Sequence, residues 1–336
     1  MKIAEEKLIY FRLIALWVLC EAMLGGIIHG LRIPASGFIV GSCAVICIAM
    51  IAYYVPSKGA ILKATLIVAI FKMMLSPQAP PPAYFAVFFQ GLLGEILFWN
   101  RNLFRVSCLL FGILALLESG LQRIVILTIV YGNDLWHAVN DFINGVTGQT
   151  IITNYSLLLI TAYVLTHAMM GIIMGFWAGI LPQKISTWGS LYSGYLFTNY
   201  KNTDIIHQPI SKKRKLRKSI FIIWLALILL YIQSSFHIGS PLLSSSLALQ
   251  IFIRSLLIIL TYYFFIGPFL TTFLTIYLQK RKVQEDTVIQ KISQLLPSTQ
   301  YLVQKSWQLA AMEKGLNRLL LCSKIILLNT FSAAHD

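Results

Sequence analysis

The chain has 336 residues, 57% of them hydrophobic and only 12% charged, with a mean hydropathy of +0.75. A soluble domain carries roughly twice that charged fraction, so the composition excludes an ordinary water-soluble globule. The formal net charge of +15 does not point to nucleic acid, because Lys and Arg gather in short segments between apolar runs and after the last one, as in loops that face the cytoplasm and anionic headgroups.

Apolar runs of about twenty residues recur along the chain, each long enough to cross about 30 Å of hydrocarbon. Alternating patterns do not dominate, which argues against an outer-membrane barrel. Spans are predicted at 8–30, 36–55, 60–76, 83–99, 103–130, 153–181, 219–236 and 247–278. The expected fold is an all-α polytopic membrane protein: a six-helix membrane module over 1–182, a basic cytoplasmic linker over 183–218, a two-helix hairpin over 219–278 and a cytosolic amphipathic tail over 279–336. If the first helix starts inside, then Lys58, Arg101, Arg105, the run KKRKLRK at 212–218 and QKRK at 279–282 all fall inside. That charge distribution predicts an inner-membrane location with both termini cytoplasmic. No cleavable signal peptide is evident, since the first segment lacks a short apolar core with a small-residue cleavage site. Cys20, Cys43, Cys47, Cys108 and Cys322 form no CxxC pair, which speaks against a disulfide framework or a metal cluster.

In chain order, the first polar group inside a span is Glu21, which shares a helical face with Gly25 and His29, with Gly26 and Gly30 beside it. An ionisable residue in hydrocarbon is costly unless paired or facing a wet cavity. This face reads either as a close helix contact or as the wall of a ligand cavity. Arg32 follows near the outer end. The connection SPQAPPPAY, 76–84, is stiffened by four prolines and suits a rigid rim or connector. In QGLLGE, Gly91 shares a face with Glu95, and Gln90 with Gly94. Glu95 either neutralises Arg101 or Arg105, or lines a polar site opposite Lys63 or Lys72.

The longest outer segment, 131–154, carries Trp136, His137 and Asp141. If it is helical, His137 and Asp141 share a face, and such groups beside a tryptophan suit a small-molecule rim. A metal site there is too sparse in ligands to be assigned. Next, His167, Gly171, Gly175 and Gly179 recur every four residues, a stripe that lets another backbone approach.

No phosphate-binding GxxxxGK[ST] loop, HExxH helix or GxSxG elbow is present, so the chain is not its own ATPase and lacks the commonest hydrolase signatures.

Three segments carry a family likeness: AMLGGIIHG at 22–30, LRIPASGF at 31–38 and SPQAPPPAYFAVFFQGLLGE at 76–95. Through them, residues 8–182 resemble the substrate-binding membrane subunit of energy-coupling-factor uptake transporters. The resemblance implies a bundle that captures a small molecule from outside. It also implies a first helix that presents small residues, here Gly25, Gly26 and Gly30, to a membrane scaffold subunit driven by cytoplasmic ATPases. ATP enters only through those partners, and no directly bound cofactor is expected.

The sequence-based expectation is therefore a small-substrate-recognition subunit of an ATP-driven uptake system. Its candidate substrate contacts are His29, Arg32, Trp136, His137, Asp141 and His167. Its candidate helix-interface residues are Glu21, Gly25, Gly26, Gly30, Gly91, Gly94, Glu95, Gly171, Gly175 and Gly179. The basic segments are expected to meet anionic lipid. The alternatives are a scaffold or regulatory subunit of a larger membrane complex and a membrane enzyme using the outer His and Asp groups.

Overall fold

The computed structural model describes residues 2–30, 36–76, 79–147, 154–197 and 285–331, with isolated positions between 225 and 264. It divides into two units, one of residues 1–121, 163–206 and 281–336, the other of residues 122–162 and 207–280.

In the first unit, α1 (Lys2–Val18) opens on a charged turn and becomes apolar all round after Arg12. A helix of that kind belongs in an interior, and Leu13, Ile14, Ala15, Trp17 and Val18 are fully buried. A π-helical segment, Leu19–Leu24, follows, and then the short α2 (Gly25–Gly30). Helix α3 (Ser36–Tyr54) runs back to a tight turn, and α4 (Ala60–Leu75) and α5 (Pro81–Leu97) form an antiparallel pair. Proline suits the first turn of α5, where an amide proton would have no partner within the helix.

The start of α4 shows how one carboxylate replaces a missing cap. Gly59, at φ +78°, has no side chain to satisfy the first amides of α4. Glu95 of α5 fills that role: its Oε1 accepts the Gly59 N–H at 2.6 Å and its Oε2 the Leu62 N–H at 3.3 Å. A negative group at a helix N-terminus also meets the positive end of the dipole. Glu95→Ala is expected to cost about 1–2 kcal/mol, read as a lower unfolding midpoint of the purified protein in detergent. A change under a few tenths would show that water caps α4 equally well.

Helices α6 (Phe104–Tyr131) and α8 (Tyr155–Leu191) are the long elements, with 28 and 37 residues. On α6, Ser107, Cys108, Phe111, Gly112, Ala115, Leu116 and Gly120 form a buried stripe. The opposite face exposes Val106, Leu110, Leu114, Leu121, Val125 and Ile129. Leu165, Met169, Ile172, Ile173 and Phe176 of α8 are likewise exposed. Apolar stripes of this extent belong against hydrocarbon, and the chain is a multi-pass, largely helical membrane protein.

Two more helices complete this unit, α9 (Glu285–Leu309) and α10 (Gly315–Phe331). Both pack on α1. Ile292, Leu296, Leu327, Leu328 and Phe331 join the same apolar core as Leu13 and Trp17. Asn329, 2% exposed, ties α10 to the chain beyond α8: its Oδ1 accepts the Phe197 N–H at 2.8 Å and its Nδ2 donates to the Tyr195 and Ile325 carbonyls at 2.9 Å.

In the second unit the main described elements are the end of α6, the helix α7 (Asp134–Thr147) and the start of α8. Trp136 Nε1 donates to Thr128 Oγ1 at 3.1 Å, and Asn140 Oδ1 accepts the Ser156 N–H at 2.7 Å, at the first turn of α8. Helix α7 is amphipathic and exposes Phe142 and Val146.

These findings correct the expected fold class of a six-helix module, a two-helix hairpin and a cytosolic amphipathic tail. Among the described residues three helices are long and apolar enough to cross a membrane, lying at Gly37–Tyr54, Phe104–Tyr131 and Tyr155–Leu191. Helix α4, with 16 residues, reaches about 24 Å at 1.5 Å per residue, short of a 30 Å core, and α5 with 17 residues is similarly short. The span expected at 8–30 is divided among α1, the π segment and α2. The apolar faces of the expected tail enter the core around α1. The expected hairpin spans at 219–236 and 247–278 lie, apart from isolated positions, outside the described residues.

Candidate functional site

Charge inside the first unit is concentrated where α1 gives way to the π segment. Glu21 lies in that segment and is 4% exposed; Lys72 in the last turn of α4 is also 4% exposed. Lys72 Nζ donates to Glu21 Oε2 at 2.6 Å and to the Ala83 carbonyl at 3.1 Å, with the Tyr84 ring 5.8 Å away. The π turn is visible in the Gly25 N–H, which reaches the Cys20 carbonyl five residues back. Segments of this type are frequent at functional positions in helices. Glu21 and Lys72 pair an acid and a base that neither helix could bury alone.

The second feature is polar and lacks partners. Gln90 of α5 is 3% exposed and Ser42 of α3 is 7% exposed. Gln90 Oε1 and Ser42 Oγ are buried, and neither makes a hydrogen bond among the described residues. Gln90 approaches α3 at Gly41: a Cβ there would lie 3.9 Å from Gln90 Nε2 and 2.7 Å from Leu116 of α6. Three helices therefore converge at a residue without a side chain. Both carboxylate oxygens of Glu118 on α6 are also buried and unpartnered among the described residues. A buried polar atom without a partner costs about 1–3 kcal/mol, and in native structures each such atom calls for an explanation.

Of the expected substrate contacts, the first unit holds His167, which is 1% exposed. Its ring stacks on Phe38 with centroids 4.0 Å apart, lies 4.3 Å from the Tyr163 ring and presses on Gly120, where a Cβ would meet Cγ at 2.9 Å. Its Nδ1 is 2.9 Å from the Tyr163 carbonyl. His167 is thus a packed residue between α3, α6 and its own helix. Trp136, His137 and Asp141 belong to the second unit. His137 and Asp141 are exposed one turn apart on α7, while Trp136 is occupied with Thr128. Arg32 lies outside the described residues; His29 falls within α2, and its side chain is outside them. Among the described residues no group of three or more His, Cys, Asp or Glu side chains is arranged to hold a metal ion.

The expected interface residues fall into distinct environments. Gly171 and Gly175 of α8 lie against the backbone of α6: a Cβ would meet the Gly112 carbonyl oxygen at 2.6 Å from the first and the Cys108 carbonyl oxygen at 2.6 Å from the second. Gly179 is looser, 3.5 Å from Arg105 Cα. Gly91 abuts Thr65, and Gly94 abuts Ile48, so α5 sits close to α4 and α3. Gly25 and Gly26 make ordinary contacts, with Val40 at 3.6 Å and Ser76 Oγ at 3.4 Å. Gly30 closes α2. Glu95 caps α4 instead of neutralising Arg105, whose Nη2 donates to Gln183 Oε1 at 2.9 Å.

Sequence reasoning named Lys72 only as one of two lysines opposite Glu95, and left Ser42 and Glu118 out of the site. Depth was the available signal. Lys63 lies one turn into α4 and is exposed, so its amine can reach the interface, whereas Lys72 is buried near the other end and needs a carboxylate from a neighbouring helix. Comparison of the chain with protein-family models, with curated proteins and with solved structures gives no match.

Proposed function

We propose that this chain is a non-enzymatic membrane subunit that recognises a small polar molecule for an ATP-driven uptake system, with a membrane scaffold and cytoplasmic ATPases as partners. The observation that carries the reading is that Gln90 Oε1 and Ser42 Oγ, on helices that meet at Gly41, are buried and make no hydrogen bond among the described residues. A protein that only needed to pack would gain stability by losing them. A ligand with hydrogen-bond donors gives them a purpose. The Glu21–Lys72 pair is a second buried polar group in the same unit. An inner-membrane location with both termini in the cytoplasm is part of the proposal, supported by the basic runs at 212–218 and 279–282.

The test is native mass spectrometry of the gently solubilised complex, with associated proteins and retained small molecules recorded together. Recovery with nucleotide-binding subunits and a retained polar ligand is the expected result. The double variant Ser42→Ala/Gln90→Met is expected to lose the ligand while its unfolding midpoint stays level or rises, a separation that simple packing residues do not show. Recovery in a different assembly, with neither ATPases nor ligand, would shift the assignment to a scaffold subunit.

A further inference from the structure

A second site is built where the two ends of the chain meet. Helices α1, α9 and α10 line a half-open cavity of about 440 Å³, within the range of small-ligand pockets. Lys7 and Arg12 come from α1 and Lys291 from α9, and among the described residues the lining contains no acidic side chain. Phe11, Leu295 and Leu302 supply an apolar wall, with the Lys291 amine 5.6 Å from the Phe11 ring centroid. Lys7 and Lys291 against an apolar wall match an anionic head joined to a hydrocarbon chain. They do not match a neutral solute or a cation.

We propose that this cavity binds an anionic glycerophospholipid of the surrounding bilayer. The phosphate sits between Lys7 and Lys291, and the first carbons of the chains run along Phe11, Leu295 and Leu302. The cavity accommodates the head and the beginning of the chains, and the remainder extends into the bilayer. A bound lipid bridges α1 to α9 and so fastens the C-terminal helices to the membrane helices. This site is separate from the one built on Ser42 and Gln90 and does not depend on the uptake reading.

The experiment uses the full chain in a neutral detergent, titrated separately with phosphatidylglycerol, phosphatidylcholine and inorganic phosphate and read by native mass spectrometry. One retained phosphatidylglycerol, with phosphatidylcholine bound at least tenfold more weakly, is the expected result. Inorganic phosphate at the same concentration should not displace the lipid. The double variant Lys7→Gln/Lys291→Gln removes two exposed charges, so it should keep its helicity, and it is expected to weaken retention about 30-fold. Lys305→Gln/Lys324→Gln makes the same change in net charge outside the cavity lining and should leave retention unaltered. Equal loss in both double variants would show diffuse surface attraction and overturn the site. Equal retention of the two lipids, or ready displacement by phosphate, would overturn the need for an anionic head or for a chain respectively.

Discussion

Lys72→Ala is expected to lower the unfolding free energy of the solubilised protein by about 3–5 kcal/mol, because it leaves the Glu21 carboxylate buried without its counter-charge. The Lys72 amine also holds the Ala83 carbonyl at the start of α5, so the substitution loosens the turn between α4 and α5 as well. Glu21→Ala should cost a similar amount by stranding the amine. The double variant Glu21→Leu/Lys72→Met removes both charges and restores apolar volume, so it should recover most or all of the loss, since replacing a buried pair is often neutral or stabilising. A double-mutant cycle on thermal or denaturant unfolding reads the coupling directly. Single variants that each cost under 1 kcal/mol would mean that water reaches the pair. A stable double variant that no longer retains a small molecule would give the pair a role in recognition beyond its role in folding.

Opposite signs are expected within one helix when glycines of α8 are replaced. At Gly171 a new Cβ would lie 2.6 Å from the Gly112 carbonyl oxygen and 2.7 Å from Ile113 Cα; at Gly175 it would lie 2.8 Å from Leu109 Cα. The obstructing atoms are backbone, so no side-chain rotation relieves them, and α6 and α8 must move apart along the contact. Gly171→Ala or Gly175→Ala should therefore cost about 1–3 kcal/mol, and leucine at either position more. Gly189, further along the same helix, has nothing within 4 Å of its hypothetical Cβ. Gly189→Ala should stabilise by about 0.5–1 kcal/mol through helix propensity. Unfolding midpoints of the three alanine variants test this ordering; equal effects at 171 and 189 would mean that α6 and α8 do not touch.

Much of the helical architecture could be read in the residues. The stripe at 171, 175 and 179 marks a face where only small residues recur, and such a face has few uses other than close packing. The long apolar runs in α6 and α8 are similarly plain, because both buried and lipid-facing stripes are apolar and the sequence need only stay hydrophobic. The tail was harder. Ile292, Leu296, Leu327 and Phe331 make an apolar stripe that suits a membrane surface, a partner or this protein's own core equally well; contact with α1 selects the core. The span count failed for a related reason. Hydropathy marks apolar runs at 60–76 and 83–99, but it does not see that the helices there, α4 and α5, stop at 16 and 17 residues.

Composition and periodicity alone determined that this chain is helical and membrane-embedded, because burying so little charge in so much apolar surface leaves no soluble alternative. They also marked Glu21 as a residue in need of a partner. Only the tertiary structure decided that the partner is Lys72, that Glu95 caps α4, and that α3, α5 and α6 converge at Gly41. Each of these pairings joins residues from different helices. The free energy that selects them depends on which helices lie side by side, and the pattern along any one helix carries no record of its neighbours.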